Sequence, residues 1–514
     1  MSRGFFGQPA GLSTLFFTEM WERFSYYGMR AILVLFMTTE VAQEGLGLTE
    51  ETSGAIYGLY TAGVYLLTLP GGWLADNIFG QQKAIWYGGI LIMIGHILLA
   101  VAGLEAVFPT GGEATRNVFF LGLVFIACGT GLLKPNISTI VGDLYPEGGA
   151  RRDAGFSIFY MGINIGSLLG QTFVAYLGEK VNWHLGFGLA AVGMLLGLIQ
   201  YRVTIGNLNG IGETPKAKEH REATGQKTNP SFAIGISLLA IVFLVILQMT
   251  GVIDVTTAQG VAQAVGVIIV TVTTAYFLYI LIAGGLNNIE RKKVVVIFFL
   301  FLGAAFFWAG FEQAGSTLNL FSRDYTNREL FGLFGGEGIP AGWLQNVNPA
   351  LIIIFAPIMG ALWVKLAARN LNPSTPLKFG IGLILMGLGF LVMVAAANIA
   401  VTRFEAGGSP KVGMMWLVFT YFLHSIGELT LSPVGLSATT KLAPKQYLGQ
   451  MMGIWFVGAA LGNLIAGLFA GEFDIADPSP LPSLFMTVVY LGVGSGIFFV
   501  IFSKPMKKWM GGVE

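Results

Sequence analysis

Residues 14–38 read TLFFTEMWERFSYYGMRAILVLFMT, an apolar run with Glu19, Glu22, Arg23 and Arg30 in its middle. At ~1.5 Å per residue such a run crosses the ~30 Å hydrocarbon core of a bilayer. Its polar residues are ordered. Glu19, Glu22, Arg23, Tyr26, Tyr27 and Arg30 fall at i, i+3, i+4, i+7, i+8 and i+11, one stripe of a helix. A polar stripe on a lipid-crossing helix must face protein or water. The run therefore predicts one member of a membrane bundle with a polar interior. A structural ion-pair cluster is the competing reading. Two acids beside one base leave surplus charge that purely structural pairing does not need.

The rest of the chain has the same character. It is 54% hydrophobic and only 11% charged over 514 residues, with mean hydropathy +0.70. A soluble chain carries about a quarter charged residues. Backbone groups in lipid must pair internally, so spans are helices or a closed barrel. The apolar runs are continuous, not alternating, which selects helices. A net charge of +1 argues against a nucleic-acid partner, and the single Cys128 excludes a disulfide framework or cysteine metal site. His96, His184, His220 and His424 have no metal spacing. The sequence has no nucleophile elbow, P-loop or HExxH. The expectation is a non-enzyme without cofactor or metal. Because Glu19, Glu22 and Arg23 interrupt the first apolar stretch, a cleavable signal peptide is not expected.

Roughly fourteen segments reach the ~20 residues a span needs: 14–38, 51–75, 83–104, 117–141, 154–178, 184–204, 231–250, 259–284, 293–315, 349–369, 376–399, 411–433, 446–470 and 483–503. With the N-terminus inside, Lys83, Arg151, Arg152, Arg202, Lys216, Lys218, Arg221, Lys227, Arg291, Lys292, Lys293, Lys365, Arg369, Lys378, Lys441, Lys445, Lys504, Lys507 and Lys508 fall in inner loops. The outer loops keep only Arg116, Lys180, Arg323, Arg328, Arg403 and Lys411. Basic residues favour the cytoplasmic side, so both termini are expected there. The polar connection 205–230 divides the chain into a six-helix bundle at 1–205, a linker and inserted helix pair at 206–290, and a second six-helix bundle at 291–514.

Ionisable groups inside spans are few, and each is a functional candidate: Glu19, Glu22, Arg23, Arg30, Lys134, Glu312 and Glu428. At ~1.5 Å per residue, Glu22 and Lys134 lie at about one level, and Arg30 and Glu312 at another, higher one. A vertical string of carboxylates is what a proton path needs. Pro135 should loosen the helix that carries Lys134. His424, four residues before Glu428, reads as a packed or hydrogen-bonded histidine. Asp76, Gly80 and Lys83 of GGWLADNIFGQQK occupy a tight turn that resembles the gating loop of the major facilitator superfamily.

Glu19-xx-Glu22-Arg23-Phe24-x-Tyr26-Tyr27 is similar to the first-span signature of the proton-dependent oligopeptide transporters. FYMGINIGSL (Phe159 to Leu168), GLLKPNIS around Lys134, FWAGFEQAGSTL around Glu312 and IGELTLSPVG around Glu428 also resemble that family. The matches lie in both halves of the chain, and the inserted pair resembles prokaryotic members. The resemblance implies an all-α polytopic fold of the major facilitator superfamily. It also implies import of di- and tripeptides with protons, in an inner membrane, without an obligate protein partner. Proton coupling would rest on Glu19, Glu22, Arg23 and Glu312. Arg30 and Lys134 would receive the peptide carboxylate, Glu428 and Asn164 the amino end. Tyr27, Tyr65, Trp308, Asn348 and Trp455 would line the pocket. The chemistry agrees, since only the two charged ends and the amide are constant among peptides, and aromatic walls accept varied side chains. Some relatives with similar signatures carry nitrate or other anions, which is the alternative substrate class.

Overall fold

The computed structural model describes residues 4–102, 112–146, 149–215, 248–251, 254, 256–336, 338–444 and 447–511. Nearly all of it is helix. In chain order the helices are α1 Ala10–Thr38, α2 Glu50–Leu66, α3 Thr68–Leu74, α4 Gln81–Val101, α5 Glu113–Asp143, α6 Gly149–Lys180, α7 Trp183–Thr204 and α8 Ala258–Ala283. They continue with α9 Asn288–Phe311, α10 Thr317–Asp324, α11 Val347–Ala368, α12 Thr375–Glu405, α13 Met415–Leu442, α14 Leu448–Ala470, α15 Leu481–Ile501 and α16 Ser503–Trp509. Among the described residues, ten candidate spans are long and apolar enough to cross a membrane. The first helix, α1, is not one of them, because Glu19, Glu22, Arg23 and Arg30 charge every stretch of it. Each span expected from the sequence coincides with helix except 231–250, which lies almost wholly outside the described residues.

Two expected spans are not single helices. Residues 51–75 divide at Leu67 into α2 and α3, and a π-helical turn, Ala75–Phe79, follows. Gly80 ends that turn at φ +79, and a Cβ there would sit 2.3 Å from the Glu213 carbonyl oxygen. Only glycine fits both demands. Gln82 fastens the same loop, its backbone N–H donating to Gly212 (2.9 Å) and its side chain to Ile211 (2.9 Å). Residues 293–315 divide as well. The α-helix stops at Phe311, Glu312–Gly315 winds as a 3-10 helix, and Ser316 breaks the chain at φ −126, ψ −98 before α10.

The opposite happens at Pro135. The α5 helix runs through it unbroken. Side chains of the next turn occupy carbonyls around the missing bond: Asn136 donates to Leu132 (2.6 Å), Ser138 to Lys134 (3.3 Å) and Thr139 to Pro135 (2.8 Å). The Gly131 carbonyl, which the proline leaves without its usual donor, lies 2.1 Å from where a Gly71 Cβ would be. Backbone of α3 therefore covers the gap, as neighbouring helices do in membrane bundles.

The described residues form two compact units. One contains Met1–Leu48, Gly63–Ile234 and Pro340–Pro349; the other contains Thr49–Ala62, Gly235–Ile339 and Ala350–Glu514. In the first unit α1 packs against α6 and α7, and α4 against α5 and α7. Lipid tails give helices no hydrophobic reason to associate, so backbones must approach closely through small residues. Gly162, Gly166 and Gly170, one turn apart on α6, face α1. A Cβ on Gly166 would lie 2.1 Å from the Met20 carbonyl, and one on Gly170 2.2 Å from that of Phe24. The glycines of FYMGINIGSL thus let α6 lie directly behind Glu19, Glu22 and Arg23. Gly166→Val should force the pair apart at a cost of about 1–3 kcal/mol or more. The expected result is a lower melting temperature and poor recovery of folded protein, measured by size-exclusion thermostability; a stable variant would refute this packing role.

In the second unit the same device recurs. Gly382 of α12 meets Gly427 of α13 (2.9 Å to its carbonyl), and Gly467 of α14 meets Gly58 (2.4 Å to its Cα) and Gly54 (2.5 Å to its carbonyl) of α2. A two-residue parallel pair, β1 Thr326–Asn327 and β2 Val412–Gly413, joins the connections that lead out of α10 and into α13.

Candidate substrate and proton site

In the first unit the polar stripe of α1 is buried. Glu19 is 2% exposed, Glu22 0% and Arg23 2%. Arg23 Nε lies 3.0 Å from Glu19 Oε1 and also forms an ion pair with Glu22. One guanidinium thus serves two carboxylates. Beyond these ion pairs, neither Glu22 carboxylate oxygen nor Glu19 Oε2 accepts a hydrogen bond. The remaining positive field comes from Lys134 of α5, whose charge acts on Glu19. The sequence expectation of a lower group of Glu19, Glu22, Arg23 and Lys134 therefore corresponds to residues the fold brings together. Burial disfavours a charged carboxylate and a neighbouring cation favours it. A cluster balanced in this way responds to any change in its cation.

Aromatic rings carry the cations upward. Arg23 lies 5.2 Å from the Tyr26 ring centroid and 5.9 Å from that of Tyr27, and Arg30 lies 5.5 Å from Tyr27 on the other side. Tyr26 and Tyr27 meet edge to face at 5.1 Å. The Lys134 ammonium stands 4.1 Å over the Tyr65 ring. Asn164 is buried on α6, its amide donating to the Tyr160 carbonyl at 2.9 Å. Asn348 is half-buried in the first turn of α11.

In the second unit Glu312 is 3% exposed and opens the 3-10 turn rather than continuing α9, which corrects the continuous helix read over 293–315. The broken turn leaves its carbonyls open to other donors, and the Tyr57 hydroxyl takes that of Glu312 at 3.3 Å. Gln313 is fully buried and donates to Ala309 (3.1 Å). Trp308, one turn before Glu312, packs edge-on to Phe307 (5.6 Å) and Phe311 (5.3 Å), and its indole nitrogen makes no hydrogen bond. Trp455 of α14 is buried against Phe379 and over Gly435, where a Cβ would lie 2.0 Å from the ring. Glu428 is half-buried on α13, while His424 is 1% exposed and its Nε2 bonds the Met386 carbonyl at 3.1 Å. Among the described residues no group of His, Cys, Asp and Glu could hold a metal ion. Arg30 belongs to the first unit and Glu312 to the second.

One polar fixture gave no signal in the sequence. Glu179, at the end of α6, accepts the backbone N–H groups of Ala341 (2.6 Å) and Gly342 (2.9 Å) at the start of a 3-10 turn, Ala341–Asn346. Trp343 donates its indole N–H to the Thr172 carbonyl (2.8 Å), and Asn346 its amide to the Thr172 hydroxyl (2.9 Å). A glutamate near a helix end reads as an ordinary loop charge, and only the tertiary fold supplies its partners. Hydrogen bonds to charged groups are worth about 1.5–3 kcal/mol each. Glu179→Ala should therefore release Pro340–Pro349 from α6. Amide exchange at Ala341 and Gly342 should accelerate by at least about tenfold, and unchanged protection would show that the clasp holds nothing.

The comparisons with known proteins agree with this architecture. The family model described as the POT family matches residues 82–477. The chain is 42% identical over 515 residues to the uncharacterized transporter YclF of Bacillus subtilis (strain 168), covering 99% of this chain and 97% of that one. It is 38% identical over 518 residues to a di-/tripeptide transporter of Lactococcus lactis subsp. cremoris, covering 99% and 98%. A crystal structure of a peptide transporter POT in complex with sulfate superposes with TM-score 0.83 at 40% identity, over 99% of this chain and 97% of that one. The fold is accordingly the all-α, multi-pass fold of the major facilitator superfamily, and the chain belongs to the POT family.

Proposed function

We propose that the protein is a proton-coupled symporter that imports di- and tripeptides by alternating access, in a cell's inner membrane with both termini cytoplasmic. The observation that carries the reading is the buried cluster in which Arg23 pairs with both Glu19 and Glu22. A charge arrangement so costly in a membrane is retained for function by default. The likeness to a di-/tripeptide transporter supports the substrate class. Glu19, Glu22, Arg23 and Glu312 handle the proton. Arg30 and Lys134 receive the peptide carboxylate, Glu428 and Asn164 the amino group, and Tyr27, Tyr65, Trp308, Asn348 and Trp455 accept the body of the peptide. Residues 1–205 and 291–514 act as the two moving bundles, with 206–290 a linker and inserted helix pair. No obligate protein partner is needed.

The test is uptake into proteoliposomes under an imposed inward proton gradient. Dialanine should accumulate saturably, and nitrate and free alanine should not. Dialanine uptake indifferent to the gradient would defeat the coupling, and nitrate accumulation would move the protein to the anion-carrying class.

A further inference from the structure

The second unit contains a basic cavity apart from every residue assigned to the peptide or the proton. α12 and α13 are antiparallel: Gly382 lies against Gly427, and Gly389 against His424. The start of α12 and the end of α13 therefore share one end of the unit. Between them is a cavity of about 210 Å³, lined by Ser374, Thr375, Lys378, Ser437, Lys441 and Met510 among others. That volume far exceeds a single-water void.

The charged residues among the described lining are both basic. Lys378 is only 8% exposed, its ammonium 4.5 Å over the Trp363 ring. Lys441, in the last turn of α13, is exposed at the mouth. The N-terminus of α12 supplies a third positive element. Ser374 makes no side-chain cap there, and Ser374, Thr375 and Ser437 bring three hydroxyl-bearing residues to the lining. A helix start favours anions and repels cations, yet Lys378 sits in the first turns of this one. Among the described lining residues there is no carboxylate. Exposed Lys504, Lys507 and Lys508 follow on α16, which packs against α12.

We propose that this cavity binds a phosphate group, carried by an anionic phospholipid headgroup or free in the aqueous phase. Two ammonium groups, three hydroxyls and a helix N-terminus match a phosphate's charge and its several acceptor oxygens. Basic pockets between spans on the positively charged side of a membrane protein recognise such headgroups.

Thermal unfolding of the purified full-length chain in neutral detergent tests this, titrated separately with phosphatidylglycerol, phosphatidylcholine and inorganic phosphate. Phosphatidylglycerol should raise the melting temperature at concentrations where phosphatidylcholine does not. The Lys378→Gln, Lys441→Gln double variant should weaken the apparent affinity at least about tenfold, and Lys378→Arg should restore it. A shift with inorganic phosphate that phosphatidylglycerol does not increase would identify the free ion as the ligand; a shift with the lipid alone would identify the headgroup. Equal shifts in wild type and double variant, or no shift with either phosphate source, would overturn the proposal. Should the double variant not fold, Lys441→Gln alone, at an exposed position, must still weaken binding, and an unchanged affinity overturns the site.

Discussion

Glu312→Gln is expected to abolish proton-driven dipeptide accumulation while leaving peptide-for-peptide exchange in large part intact. The substitution keeps the shape and hydrogen-bonding capacity of the side chain and removes the titrating group. Its surroundings should tolerate that change, because Tyr57 binds the backbone carbonyl of Glu312 and not its carboxylate in this contact. Exchange requires only that loaded states interconvert. Accumulation requires the proton to bias that equilibrium, and a ligand biases an equilibrium only through differential affinity. A loss of tenfold or more in gradient-driven uptake, equivalent to about 1.4 kcal/mol of bias, should accompany counterflow within a few-fold of wild type. Both activities are measured on the same reconstituted protein. If they fall together in a folded variant, Glu312 is structural or binds substrate, and the proton site lies at Glu19 and Glu22.

The second large effect is expected from Lys134→Ala and Glu428→Ala, each of which should eliminate dipeptide binding and uptake. Lys134 is the cation over Tyr65 and the nearby positive charge acting on Glu19 besides Arg23. Its removal leaves two carboxylates to one guanidinium in a buried cluster. Breaking a buried pair by removing one partner typically costs about 3–5 kcal/mol. Glu428 is the single acid of its helix, on a face shared with the bonded His424. Calorimetric titration with dialanine and uptake on each variant decide the matter. Normal transport by either variant would remove that residue from the peptide's termini.

Much of the candidate site was legible because helical periodicity is local. The spacing of Glu19, Glu22 and Arg23 placed them on one stripe before any packing was known, and the Glu19–Arg23 ion pair follows from i,i+4 geometry, whereas Arg23 also pairs with its immediate neighbour Glu22. The placing of Lys134 with that group rested on a depth estimate along the helices, and the Lys134 charge does act on Glu19. The continuous helix read over 293–315 did not hold beyond Phe311. No proline marks the end of α9, and the 3-10 turn at Glu312–Gly315 arises where Tyr57 and tightly packed α14 meet the chain. Pro135 erred in the other direction, since its local penalty was absorbed by Asn136, Ser138, Thr139 and the backbone of α3.

By itself the sequence determined that this is a multi-pass helical membrane protein of the oligopeptide-transporter type, because hydropathy, charge spacing and signature residues are properties of the chain read in order. Only the tertiary structure decided which glycines serve as contacts, where helices break, and what Glu179 and Lys378 face. Those outcomes depend on atoms from distant segments. Gly166, where an added Cβ would lie 2.1 Å from the Met20 carbonyl, and Glu179, a helix-end glutamate that clasps a distant turn, both owe their meaning to a neighbour that linear order does not name.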